Sequence, residues 1–261
     1  MSAPQVLCEI RDGVAALIFD NVARKNAITL AMSQQATEHI DALARDDSVR
    51  LLVVRGAGNT FISGADISEF EALRAQPEAI ARYEAISNGM FTRLRAFPKP
   101  TLAAINGFCF GGGVGVAAAC DLRFAADDAM FSVPAARLGI AYRQDFISWL
   151  VQIVGAAQLK EILITARRYN AQEALAMGLV NQLAPVETFE ADFSAYVAAI
   201  AENAPLSTLA SKQMVDEYSN PTRPPDEARC RALSQACLAS ADYVEGRRAF
   251  MEKRRPDFQG R

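Results

Sequence analysis

The stretch that most limits what this chain can fold into is residues 102–120, LAAINGFCFGGGVGVAAAC, which is apolar except for Asn106. It is long enough to cross a bilayer, but Gly107 and the cluster Gly111, Gly112 and Gly113 divide it. A buried strand, a tight turn and a buried helix account for it better than a membrane span. Such a pair must be covered on all sides, and a chain of 261 residues that is 51% hydrophobic has the means to cover it. That composition excludes intrinsic disorder, because enough apolar surface is available to offset the ordering entropy. It also excludes collagen-like, low-complexity and disulfide-scaffold classes. The length suits one large domain, or a domain with an appendage.

The charge balance narrows the partners. Net charge is −3, from 27 basic and 30 acidic residues, with no dense basic run, so no nucleic acid is expected. The five cysteines, Cys8, Cys109, Cys120, Cys230 and Cys237, form no CxxC pair. They read as reduced thiols of a cytoplasmic protein and argue against a zinc site. The opening MSAPQVLCEIRDG has no basic segment and no long apolar segment, and does not read as a signal peptide. The single histidine, His39, shares a helical segment whose buried face is Met32, Ala36, Ile40 and Leu43. It reads as a solvent-side residue, which argues against Ser-His-Asp chemistry and histidine-rich metal sites.

Strands are expected at residues 14–19, 51–54, 101–105, 122–125, 130–133 and 180–183. Helices are expected at 29–44, at 67–96 with Pro77 as the candidate interruption, and from Val114 to Cys120. After Gly139 comes a helix with Ile147, Leu150, Val151 and Val154 on one face, closed by Gly155. Asn170 and Glu173 have capping-box spacing before a short helix that stops at Gly178. From about residue 187 the chain reads as helix, broken at Pro205 and across 221–225. The class is therefore α/β with a helical C-terminal region, divided at about 1–200 and 201–261, and too irregular for an eight-fold barrel.

Two segments stand out chemically. In Phe61-Ile62-Ser63-Gly64-Ala65-Asp66-Ile67 a small-residue turn opens a helix, and in Asn106-Gly107-Phe108-Cys109-Phe110-Gly111-Gly112-Gly113 a strand runs through glycines into another. Backbone N–H groups at helix starts attract anionic oxygen, and glycine lets them approach it closely. Two donors aimed at one point would make an oxyanion hole. Tight turns required by packing explain either segment alone equally well. A dinucleotide fold fits poorly, because Gly111, Gly113 and Gly115 give GxGxG and lie far from the first strand.

The ordered set Ser63-Gly64-Ala65-Asp66-Ile67, Pro98-Lys99-Pro100, Asn106-Gly107, Gly111-Gly112-Gly113, Cys120-Asp121, Phe131-Ser132-Val133-Pro134, Leu138-Gly139 and Phe250-Met251-Glu252-Lys253-Arg254 resembles the crotonase (enoyl-CoA hydratase/isomerase) superfamily along nearly the whole chain. The resemblance implies an α/β spiral of ββα units with a C-terminal helical trimerisation region, assembled as a homotrimer or a dimer of trimers. It implies an acyl-CoA substrate, with coenzyme A entering as part of the thioester and no separate cofactor. The thioester oxygen would sit between the N–H groups of Ala65 and Gly112, where an enolate would form. Arg24 and Lys25, before Asn26 and Ala27, match the loop that meets the CoA phosphates. The backbone of Ser63, Ala65, Asp66 and Ile67 would hold the adenine and pantetheine, and Phe250 and Lys253 match residues that reach CoA, often from a neighbouring subunit.

The chain departs from the pattern at two places. Hydratases of the family carry glutamates where this chain has Gly115 and Ala135, and neither residue moves a proton. Ordinary two-glutamate hydration is therefore not expected. Tyr142 matches an active-site tyrosine of methylmalonyl-CoA decarboxylase, and Arg143 falls where other members carry a catalytic aspartate, with Arg137 and Asp145 close by. Tyr142 with Arg143 suits a substrate that brings its own carboxylate, giving a decarboxylase-like lyase as the alternative reaction. Packing of Tyr142 and pairing of Arg143 with Asp145 read from the same residues. Glu69, Glu71, Tyr83 and Glu84 are substitute acid–base candidates on the flanking helix, and their spacing does not choose among them. A non-catalytic acyl-CoA-binding subunit is the reading from another class.

Overall fold

The computed structural model describes residues 3–69, 77–220 and 222–261. Strands β1 (Gln5–Arg11) and β2 (Val14–Asp20) open the chain as an antiparallel hairpin, Arg11 facing Val14 across a turn. Then come α1 (Leu30–Arg45), β3 (Leu51–Gly56), α2 (Pro77–Arg95), β4 (Thr101–Ile105), β5 (Phe108–Phe110), α3 (Gly112–Ala119), β6 (Leu122–Ala126) and β7 (Met130–Ser132). These are followed by α4 (Gln144–Thr165), β8 (Arg168–Asn170), α5 (Ala171–Ala176), β9 (Gln182–Ala184), α6 (Phe189–Ala201), α7 (Pro205–Tyr218), α8 (Glu227–Ala239) and α9 (Ala241–Glu252).

The strands form a large sheet in the order β1-β2-β3-β4-β6-β9 and a small one in the order β5-β7-β8. From β2 to β9 the large sheet is parallel, and β4 at its centre is buried at all five residues. The central strands β3 and β4 are covered on both faces, so they are nearly continuous apolar runs rather than alternating ones. One unit recurs along the chain: a strand of the large sheet, a short extended segment, then a helix. Strands β4 and β5 with α3 form one such unit, and β6 and β7 with α4 another. The two earlier units have shorter middle segments, held by the parallel bridges Ile28–Ala65 and Ile62–Cys109. Successive units stack in parallel, so the starts of successive helices are brought to the same side of the molecule.

Local chemistry explains the boundaries. Thr29 caps α1 by accepting from the Met32 amide, and Asn170 and Glu173 make the expected capping box at α5. Asn26, fully buried at φ +55°, donates to the carbonyls of Ala57 and Thr60 and accepts from the Asn21 amide, tying the first unit to the second. Gly155, at φ +76° and ψ 162°, leaves helical geometry and closes the first stretch of α4 as expected, and a second helical stretch runs on to Thr165. One local expectation needs correction. His39 is not on the solvent side; it is half-buried, and its Nε2 lies 3.2 Å from the Val6 carbonyl of β1.

The chain divides into two compact units, Met1–Phe97 with Thr101–Phe193, and Pro98–Pro100 with Ser194–Arg261. The division falls inside α6. In the second unit α7 and α8 pack together, and Glu217, 5% exposed at its side chain, pairs with Arg223 at 2.6 Å and Arg229 at 3.0 Å.

Candidate active site

The loop that enters the helical turn at Ile67 spends most of its polar groups on the unit before it. The Ser63 amide donates to the Lys25 carbonyl, the Ile28 amide to the Gly64 carbonyl at 2.8 Å, and the Asp66 amide to the Ile28 carbonyl at 2.9 Å. Between these spent groups the Ala65 N–H has no acceptor among the described residues. The next unit repeats the arrangement. The Gly111 amide donates to the Ser132 carbonyl at 2.8 Å, and Gly112, the first residue of α3, has no acceptor for its own amide among the described residues.

These two open amides are neighbours. A Cβ on Gly112 would sit 3.6 Å from the Ala65 nitrogen, and one on Gly113 would lie only 2.2 Å from the Ile62 carbonyl oxygen. A side chain is therefore excluded at Gly113, whereas at Gly112 a Cβ would make only ordinary contact with the loop of Ala65. Both loops line a cavity of about 530 Å³. Its apolar wall includes Ile28, Phe91, Val133, Leu138, Ile140 and Phe146, and Ser87, Glu84, Tyr142 and Arg143 contribute its polar groups. Paired open N–H groups in an apolar cavity form a receptor for one carbonyl oxygen, strongest when that oxygen carries negative charge.

The other expected residues fall as follows. The Tyr142 hydroxyl donates to the Gly111 carbonyl at 2.8 Å, its ring packs 5.3 Å from that of Phe146, and burial pushes its pKa well above the ordinary phenol value. Arg143 lines the cavity and also pairs with Asp145, through Nε at 3.1 Å and Nη2 at 2.6 Å. It donates to Asn88 as well and lies over the rings of Phe91 and Phe146. Gly115 and Ala135 are both buried, and a Cβ on Gly115 would come within 2.5 Å of two Phe146 ring carbons. Phe146 fills the space in front of Gly115.

Among the four acid–base candidates, Glu69 is committed elsewhere: its Oε2 accepts from the Leu30 amide at 2.8 Å, capping α1. Glu71 and the side chain of Tyr83 lie outside the described residues. Glu84 lines the cavity, on the same face of α2 as Ser87 and Phe91. That face was readable as the 3-and-4 spacing of residues 84, 87 and 91. Phe146 gave no signal of its own, since only the fold brings it against Gly115.

Arg24 does not stand as a bare cation. It pairs with Asp66 at 2.7 Å and donates to Ser68. Burial acts against the Asp66 carboxylate, but hydrogen bonds from Ser68 and the Arg24 charge outweigh it and hold its pKa below the ordinary value. The Lys25 ammonium lies 4.4 Å over the Phe108 ring, and Ala27 is buried with its carbonyl accepting from Asn21. Phe250 and Lys253 belong to the second unit, where Phe250 is 83% exposed and Lys253 ends α9 at φ +55°.

Stacked ββα units with helix starts gathered on one cavity, followed by C-terminal helices, define the crotonase architecture. A solved enoyl-CoA hydratase/carnithine racemase from Magnetospirillum magneticum matches with a TM-score of 0.94 at 32% identity, covering 100% of this chain and 97% of that one. The chain belongs to the enoyl-CoA hydratase/isomerase family, whose pattern it matches over residues 9–261. It is 30% identical to the 2,3-dehydroadipyl-CoA hydratase of Escherichia coli, covering 95% of this chain and 96% of that protein. It is also 30% identical to the crotonyl-CoA hydratase of Syntrophomonas wolfei, covering 99% of each.

Proposed function

We propose that this protein binds an acyl-CoA thioester with its carbonyl oxygen between the N–H groups of Ala65 and Gly112, and acts by stabilising the enolate that forms there. The observation that carries this reading is the side-by-side pair of amides on the cavity, neither with an acceptor among the described residues. As charge moves from the α-carbon onto the thioester oxygen, both hydrogen bonds strengthen, each worth about 3–4 kcal/mol in the transition state. Among the described residues, Glu84 is the carboxylate that lines the cavity, and it is the group we assign to moving the α-proton. Standard hydration is not the reaction in this reading. The two positions where family hydratases carry glutamate are Gly115 and Ala135 here, and the Phe146 ring closes the space beside Gly115.

The place of Arg143 on the cavity favours a second reading, decarboxylation. The bond between the α-carbon and a substrate carboxylate breaks, CO2 leaves, and the bonding pair becomes the enolate held by Ala65 and Gly112. A proton then returns to the α-carbon, and no protein base is needed to begin. Arg143 already holds Asp145 by two hydrogen bonds, so a substrate carboxylate must share or displace that partner.

For the assembly, we propose that exposed apolar residues of the second unit, Leu238, Val244, Phe250 and Met251 among them, pack in a homotrimer or a dimer of trimers. Phosphates of CoA are assigned to Arg24 and Lys25.

The test is crotonyl-CoA hydration run beside methylmalonyl-CoA with CO2 detection. No hydration with CO2 release supports the decarboxylase reading. Hydration at ordinary enzyme rates overturns the exclusion of hydration and directs attention to Glu84. Silence on both, with acyl-CoA still bound, leaves a binding subunit or a different acyl group.

A further inference from the structure

We infer that Tyr142 is a positioning residue for the Gly112 donor, working through the peptide group it grips and not on the reacting atoms. The inference rests on the proposed role of the Gly112 amide. The carbonyl of Gly111 and the N–H of Gly112 belong to one peptide plane, so whatever fixes the carbonyl aims the N–H. Gly111 lies at φ +50°, ψ −109°, a conformation that local preference does not hold in place. Its carbonyl is held at both lone pairs instead, by the Tyr142 hydroxyl at 2.8 Å and by the Gly115 amide at 3.2 Å.

The first of these bonds runs from a side chain on the cavity wall, and the second from the first turn of α3. Together they leave the peptide one orientation. The Tyr142 bond also polarises the group: a donor on the carbonyl draws electron density from the nitrogen and makes its N–H a stronger donor in turn. The phenol suits this task and no proton transfer. Burial keeps it neutral well beyond physiological pH, and its one proton is committed to Gly111. The ring is fixed beside Phe146, so the hydroxyl is held without a large entropic cost.

The experiment uses the full-length protein and butanoyl-CoA labelled with 13C at the thioester carbon. Hydrogen bonds to the carbonyl oxygen move that resonance downfield on binding. In Tyr142→Phe, which keeps the ring and its packing, the downfield displacement is expected to shrink by about 10–30% or more, with Kd nearly unchanged. An undiminished displacement in Tyr142→Phe overturns the inference and makes Tyr142 a wall of the cavity. So does a variant that binds more weakly at full displacement. An absent displacement in the wild-type protein overturns the donor-pair reading itself, and this inference with it.

Discussion

Adding a single methyl group at Gly115 separates two opposed expectations. Gly115 lies inside α3, where replacing glycine by alanine normally stabilises a helix by about 1 kcal/mol. Here the new Cβ would meet the Phe146 ring at 2.5, 2.5 and 2.8 Å. That ring is 2% exposed and wedged against Phe91 at 4.6 Å, Tyr142 at 5.3 Å and Trp149 at 5.6 Å. Overpacking of a filled core costs about 1–3 kcal/mol, and contacts this short belong at the upper end. The net expectation for Gly115→Ala is a loss of about 2 kcal/mol, a fall in Tm of about 4–8 °C for a chain of this size. Thermal unfolding followed by circular dichroism reads it. In a Phe146→Leu background, which removes the opposing ring carbons, the same substitution should be neutral or stabilising. The open side of Phe146 is the cavity, so any relief in the native background moves the ring inward and weakens acyl-CoA binding as well. A Tm for Gly115→Ala at or above wild type, or the same fall in both backgrounds, refutes the claim that Phe146 closes this position.

Three further outcomes follow from the same geometry. Gly112→Pro removes one N–H at the first position of a helix, where proline is tolerated, so turnover should fall about 10²–10³-fold in a folded protein, measured on whichever acyl-CoA proves active. Glu84→Gln should lower exchange of the butanoyl-CoA α-protons in D2O about 10²–10⁴-fold, and unchanged exchange would remove Glu84 from proton transfer. Hydrogen bonds from Arg223 and the Asp226 amide, with the charge of Arg229 added, lower the pKa of Glu217 from 4.5 to about 2. Between those values the unfolded chain binds the proton that the folded one refuses, so the stabilisation is present above about pH 4.5 and lost as pH falls towards about 2. The Tm gap between wild type and Glu217→Gln should narrow across that window, and a constant gap would contradict the pairing.

Much of the fold was legible because burial on both faces writes strands such as β4 as uninterrupted apolar runs. The capping box at Asn170 and Glu173 marked a helix start to the residue. The strands missed from sequence, β1, β5 and β8, are of a different kind. β1 is an edge strand with mostly exposed or half-exposed residues, and β5 and β8 are three residues long, so neither periodicity nor apolar content singles them out. No internal repeat shows in the sequence, yet the ββα unit recurs in space, because backbone pairing between units does not require matching side chains. At the site, the two glycine-bearing helix starts were visible as separate segments. That their amides are neighbours was not, since it depends on parallel stacking of units more than 40 residues apart. Tyr142 and Arg143 both line the cavity, but the partner of each hydroxyl and guanidinium is a tertiary fact. The commitment of Glu69 to capping α1 is another.

The most direct test of the account is a crystal structure with butanoyl-CoA bound. The thioester oxygen should lie about 2.7–3.1 Å from both the Ala65 and the Gly112 nitrogen, with the acyl chain against Phe91 and Phe146. A thioester oxygen turned to solvent, or those two amides engaged by other partners while acyl-CoA is bound, would contradict the account.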